Sequence, residues 1–194
     1  MASDEHPTAQ SRVPCSAAEI RYRPIDEASA REVLPLLRRI YPPVYGHLWL
    51  DGGMEDYLRR CYREEAVLKD LRTPGTLYEE VLLGGRPVGI LQTVSECPRP
   101  GNDAIGQFKL YRIYLDPDTH GRGLGTHCMH RVRARARGLS AQNIWLEVMD
   151  TQRQALRFYR KHGFETAEAF TLDAPLMKPE YRGMLRLVSP AAHR

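Results

Sequence analysis

The stretch LDPDTHGRGLGTHCMH, residues 115–130, most narrows the folds open to this chain. Gly121, Gly123 and Gly125 fall within five positions, directly ahead of a segment that reads as helix. Glycine in a helix is about 1 kcal/mol worse than alanine, so this placement points to a need of the backbone. The preceding FKLYRIYL, residues 108–115, is β-branched and aromatic and reads as a strand, closed by Asp116-Pro117. The segment is therefore a strand-to-helix turn with bare backbone. Its N–H groups point outward with the positive end of a helix dipole behind them, and that suits an anion.

The rest of the chain supplies elements to surround this turn. EIRYRPI (19–25) reads as a first strand, and Asp26 is placed to cap a helix running towards Tyr41, kinked at Pro35. Residues 41–53 read as an aromatic loop, and 54–72 as helix in two pieces ended by Thr73-Pro74-Gly75. TLYEEVLL and RPVGILQTV flank Gly84-Gly85 as a hairpin. After the glycines come a helix, the strand QNIWLEVM (142–149), the amphipathic helix RQALRFYRKH (153–162) stopped at Gly163, and two further strands. The order βααβββαβαββ describes an α/β chain with a mixed sheet and helices on both faces.

Composition sets outer bounds. With 194 residues, 42% hydrophobic and 27% charged, the chain is one globular domain, expected over 18–191, after a polar tail over 1–17. No stretch approaches the roughly eighteen apolar residues of a membrane span, and the N-terminus lacks a signal-peptide centre, so a cytoplasmic location and no membrane partner are expected. Cys15, Cys61, Cys97 and Cys128 are scattered without metal-ligand spacing; reduced thiols and no metal follow.

Three readings of the anion compete. A P-loop needs Lys-Ser or Lys-Thr after the last glycine, whereas Thr126-His127 follows Gly125. A dinucleotide fold needs GxGxxG near the domain start and an acid about twenty residues on; here the spacing is GxGxG, deep in the second half, and the next acid is Glu147. The window His120-Gly121-Arg122-Gly123-Leu124-Gly125 instead resembles the acyl-CoA loop of the GCN5-related N-acetyltransferases, Gln/Arg-x-x-Gly-x-Gly/Ala, with His120 in place of Gln or Arg. LEVMDTQRQALRFYRKHGF (146–164) is similar to the second hallmark of that family at Ala155, Tyr159, Gly163 and Phe164, with Gln152 where the family has Asn. Within the family, the look is closest to bacterial diamine and polyamine N-acetyltransferases. The resemblance implies a mixed, largely antiparallel sheet of about seven strands, acetyl-CoA as co-substrate, and a primary amine as acceptor, a small amine or polyamine foremost, attacking directly in a ternary complex. A homodimer is compatible with it.

Moving an acetyl group from a thioester to an amine requires a free nitrogen lone pair, donors for the oxyanion, and a proton for the departing sulfur. The resemblance implies Tyr159 as the acid. Many relatives carry a glutamate base at the position of Lys109, and a lysine cannot serve as a carboxylate base. Ribosomal-protein N-acetyltransferases place the base five residues before the Asn, which here selects Glu147; a lock to Lys109 or Arg112 is its structural alternative. The backbone of Ile113, Tyr114 and Leu115 is expected to meet pantetheine, and His120, Gly121, Arg122, Gly123, Leu124, Gly125, Thr126 and Gln152 the rest of the cofactor. Asp51, Glu55 and Asp56 are candidates to receive a cationic amine.

Rival functions are a non-catalytic acyl-CoA sensor, acetylation of a protein N-terminus or lysine, and nucleic-acid binding through RVRARAR (131–137). The four arginines of that run spread around the helix with no aromatic between them, which reads as a solvated face and argues against a specific nucleic-acid partner.

Overall fold

The computed structural model describes residue 16 and residues 19–192, so the expected tail lies outside the described residues apart from Ser16. Seven strands and five helices follow in the order β1 (Ile20–Pro24), α1 (Leu34–Tyr45), α2 (Gly53–Cys61), α3 (Glu64–Leu71), β2 (Thr76–Leu83), β3 (Arg86–Val94), β4 (Gln107–Leu115), α4 (Leu124–Gly138), β5 (Asn143–Met149), α5 (Arg153–Lys161), β6 (Glu165–Thr171) and β7 (Gly183–Pro190). One sheet runs β1-β2-β3-β4-β5-β7-β6. Neighbours are antiparallel except β4 and β5, which are parallel. The β2–β3 hairpin turns on Gly84 and Gly85, both at positive φ (57° and 82°), as a two-residue turn matched to strand twist requires.

Alternation along the strands builds two cores. Phe108, Leu110, Ile113 and Leu115 of β4 and Ile144, Leu146 and Val148 of β5 pack with α4 and α5. Tyr78, Ile90, Tyr114 and Met149 pack with α1, α2 and α3. The expected helices on both faces are present. The first helix differs from its expectation. Asp26 accepts from the N–H and hydroxyl of Ser29 and closes a turn, so α1 begins only at Leu34. Pro35 then falls in the first helical turn, where a missing N–H costs nothing, and no kink is needed. The helix continues through Pro42 and Pro43 to Tyr45, because Leu36, Leu37, Ile40 and Tyr41 bury its inner face. The aromatic loop expected over 41–53 is thus half helix.

Two features place the site. The parallel ladder between β4 and β5 has only three rungs, Gln107–Asn143, Phe108–Ile144 and Lys109–Trp145. Beyond it β4 carries an extra residue, Tyr111, against β3, where the register steps from Thr93–Leu110 to Gln92–Arg112. A bulge bends its strand and adds twist, and β4 swings away from β5. On the α1 side, the β6–β7 connection folds back over the α1–α2 junction. Leu50 N–H donates to Leu176 O (3.0 Å), Lys178 N–H to Leu48 O (2.9 Å), and Met177 enters the α1–α3 core. Gly53 permits this contact, since a Cβ there would meet Leu176 O at 2.6 Å.

The arginine run of α4 is not simply a solvated face. Arg131 pairs with Glu79, a buried carboxylate of β2. Arg133 is buried and donates to Pro190 O (2.9 Å), Ser189 Oγ (2.9 Å) and His162 O. These two tie α4 inward to β2, to β7 and to the end of α5. Replacing Arg133 by Met would remove this donor from one buried acceptor, Ser189 Oγ, and from the less buried carbonyls of His162 and Pro190, at about 1–3 kcal/mol for an acceptor that stays dry. Arg133→Met is expected to cost about 2–4 kcal/mol in urea denaturation, and Arg137→Met, at an exposed position of the same helix, within about 0.5 kcal/mol.

Candidate active site

The turn between β4 and α4 is built from inside. The Asp116 carboxylate pairs with Arg39 and accepts from Asp118 N–H (3.1 Å), and Thr119 Oγ donates to Asp116 O (2.6 Å). The chain then passes through Gly121 (φ 78°) and Gly123 (φ 82°), left-handed positions that side chains rarely adopt. Gly125 has a different reason, because a Cβ there would press on the Phe158 ring at 3.3 Å. No side chain caps α4, so its first N–H groups have no intrahelical partner. Nothing lies within 4 Å of where a Cβ of Gly123 would sit. Open space in front of uncapped N–H groups fits a pyrophosphate.

That space is one end of a cavity of about 310 Å³. Its walls are Ile113, Tyr114 and Leu115 of β4; His120, Gly121 and Gly123 of the turn; Leu124, Gly125 and Thr126 of α4; Gln152, Ala155, Phe158 and Tyr159 at α5; and Ile40, Val44 and Tyr45 of α1. Of the residues expected to hold the cofactor, the structure brings all but Arg122 to this one cavity. Asp116 N–H donates to Val88 O of β3. By strand alternation the amides of Ile113 and Leu115 point the other way, into the gap left by β5, and that of Tyr114 does not.

Tyr159 sits on α5 with 8% of its surface exposed and lines the cavity. Burial, with Tyr114 adding to it, raises its pKa, so the phenol keeps its proton through neutral pH. Tyr45 is held in the same state by burial and by Tyr114 and Tyr159. Its ring stacks on Tyr41 at 4.7 Å and tilts against Tyr114 at 5.5 Å. The sequence reads this aromatic segment as a loop and does not single out Tyr45. The helical spacing of Ile40, Val44 and Tyr45 was the available signal, masked by two prolines that argued for a loop.

Glu147 sits in an ion-paired cluster. It lies on the α1 face of β5, as alternation with Trp145 and Met149 predicts, but it does not line the cavity. Its Oε2 accepts from Lys109 Nζ (3.0 Å) and its Oε1 from Arg186 Nε (2.9 Å). Arg186 also pairs with Glu168, and Lys109 lies over the Trp145 ring at 4.1 Å. Burial pushes the Glu147 carboxyl up, yet Lys109 and Arg186 outweigh it and hold the group below the usual carboxylate range. The Glu147 carboxylate is thus shared between two cations and is not among the residues that line the cavity. Asp51, Glu55 and Asp56 are also absent from the lining, and Asp56 is paired with Arg59 and Arg60.

Comparison with known proteins bears on what the cavity is for. A profile of the Acetyltransferase (GNAT) family matches residues 33–164. An uncharacterized N-acetyltransferase of Lactobacillus delbrueckii subsp. lactis is 24% identical over 140 residues, covering 72% of this chain and 80% of that protein. The PaiA N-acetyltransferase of Thermoplasma acidophilum, solved in complex with coenzyme A, superposes with a TM-score of 0.66 at 14% identity, over 88% of this chain and 98% of that one. Spermidine N-acetyltransferase SpeG of Vibrio cholerae gives 0.64 at 14% identity, over 90% and 96%. These structures share the fold. The family match takes in the parted strands, the glycine turn and Tyr159 together, and on it this chain belongs to the GNAT family of acetyltransferases, with acetyl-CoA as co-substrate.

Proposed function

We propose that this protein, as one domain over 18–191, transfers the acetyl group of acetyl-CoA to a small primary amine by direct attack with both substrates bound. The observation that carries this reading is the single cavity that joins the uncapped N-terminus of α4 to the Tyr159 phenol, past the free edge of β4. A binding module has no need of a buried, protonated phenol at the far end of its ligand site.

Each part then has a task. The N–H groups of the turn and α4 hold the pyrophosphate, and the outward amides of Ile113 and Leu115 are placed for the pantetheine chain and the thioester oxygen. The amine nitrogen forms the C–N bond as the C–S bond breaks, and the electron pair leaves on sulfur. Tyr159 offers its proton to that sulfur, and the proton shed by nitrogen replaces it. Among the described residues no carboxylate lines the cavity, and in this reading the attacking nitrogen sheds its ammonium proton to water before attack.

Acetyl-CoA at about 100 times its Kd is expected to stabilise the protein by about 2.7 kcal/mol, read as a raised Tm. Gly123→Glu, placing a charged side chain in the open space before α4, should abolish that shift; an undiminished shift would put the cofactor elsewhere. Tyr159→Phe should keep acetyl-CoA affinity and lower kcat by about 10²–10⁴. Wild-type turnover in this variant would reduce Tyr159 to a packing residue.

The ion-paired setting of Glu147 has its own signature. Its folded pKa is depressed, so its stabilisation is present above the unfolded value of about 4.3 and is lost as pH falls through the folded value. Glu147→Gln should therefore lower Tm at pH 7, with the difference closing below about pH 4, and should leave the acidic limb of kcat/KM in place. That limb should move instead with the pKa of the amine supplied. A limb that stays fixed across amines of different pKa would reveal an enzyme base.

A further inference from the structure

Behind Tyr45 the structure holds a row of rings. Tyr45 stacks on Tyr41 (4.7 Å, 30°) and Tyr41 on Tyr57 (4.8 Å, 21°), and Tyr57 lies tilted against Trp49 (4.9 Å, 33°). Tyr114 braces the cavity end of the row, edge-on to Tyr41 at 6.0 Å and tilted to Tyr45 at 5.5 Å. Only Tyr45 and Tyr114 of these rings line the cavity. One face of Tyr45 is taken by Tyr41, and the ring meets the same space as Tyr159. A row of stacked rings that ends at a reaction cavity is a platform for one more ring.

Electrostatics limits the occupant further. Three acids on this side of the sheet are paired, Asp70 with Arg112, Glu147 with Lys109 and Arg186, and Asp56 with Arg59 and Arg60, while Asp51 and Glu55 are exposed and do not line the cavity. Tyrosine faces attract a single ammonium, but each further charge of a diamine would enter without a counter-ion, and that is costly in a buried site.

We propose that the acceptor is an arylalkylamine, a primary amine with one charge whose aromatic ring stacks on Tyr45 while its nitrogen faces the thioester. The proposal rests on the acetyl-transfer reading above and leaves its bond changes as they stand: the nitrogen gains the acetyl carbon, the sulfur leaves with the electron pair, and one proton passes from nitrogen to sulfur. Tyr45 is thereby a specificity-determining residue.

The test uses the full chain, acetyl-CoA and thiol release, with 2-phenylethylamine, n-butylamine, putrescine and spermidine as acceptors. The expected result is a kcat/KM for 2-phenylethylamine about five- to tenfold above that for n-butylamine, carried mainly by KM, with both diamine and triamine lower still. Tyr45→Leu should shrink the phenylethylamine-to-butylamine ratio towards one, and Tyr45→Phe, which keeps a ring, should restore it. A preference for putrescine or spermidine, or a ratio indifferent to Tyr45→Leu, overturns the proposal and leaves acetyl transfer standing. Thiol release with none of the four overturns it together with the reading on which it rests.

Discussion

The parting of β4 from β5 is the constraint on which the site depends. A strand inside a sheet has its amides paired on both sides, and an unpaired amide away from water is costly. Here the ladder stops after three rungs, and the bulge at Tyr111 turns the remaining length of β4 aside. The edge so exposed faces a cavity between α4, α5 and α1 rather than open solvent. A ligand that lies along this edge as a further strand would, with carbonyls and amides of its own, complete the hydrogen bonding the sheet has given up. The glycine turn at the end of β4 adds the uncapped N-terminus of α4 to the same edge, so one strand and its exit offer backbone donors at two places along one cavity.

Polar and apolar groups are sorted sharply around that split. On the α1 face of the sheet, Lys109, Glu147, Arg186 and Glu168 form a chain of alternating charges over Trp145 and Phe170. This chain cross-links β4, β5, β7 and β6. The cavity is walled mainly by aromatic and aliphatic side chains, with His120, Thr126 and Gln152 among them. The substitution of lysine for a common family glutamate at position 109 makes physical sense in this setting, because it neutralises Glu147 where two neighbouring carboxylates would repel.

Much of this could be read from the residues alone, and the failures have identifiable causes. Strand boundaries, the Gly84-Gly85 hairpin and the face taken by Glu147 followed from local periodicity and turn chemistry, which tertiary contacts did not override. The start of α1 was misplaced because Asp26 and Ser29 make a better turn with each other than a helix cap, and its end because buried Ile40 and Tyr41 outweigh two prolines. Periodicity assigns Glu147 to a face but cannot show which cations stand opposite, as Arg186 arrives from 39 residues away. The ring row ending at Tyr45 joins residues of α1 and α2 through contacts that no spacing rule encodes. In RVRARAR the sequence pattern itself misleads: what reads as a charged surface includes a guanidinium sunk among backbone carbonyls.

The return of the β6–β7 connection onto the α1–α2 junction has a consequence in time. Residues near 50 are among the earlier parts of the domain to leave the ribosome, yet their backbone partners, Leu176 O and Lys178 N–H, come more than a hundred residues later. Contacts of such separation carry a large loop-closure cost and form slowly. The glycine turn, α4, β5 and α5 are contiguous and are in place to assemble with β4 beforehand. The half of the cavity that holds the cofactor therefore matures on local contacts, while the aromatic half waits for the final hairpin. A nascent chain stalled before residue 176 would own a nucleotide cradle without a finished acceptor wall.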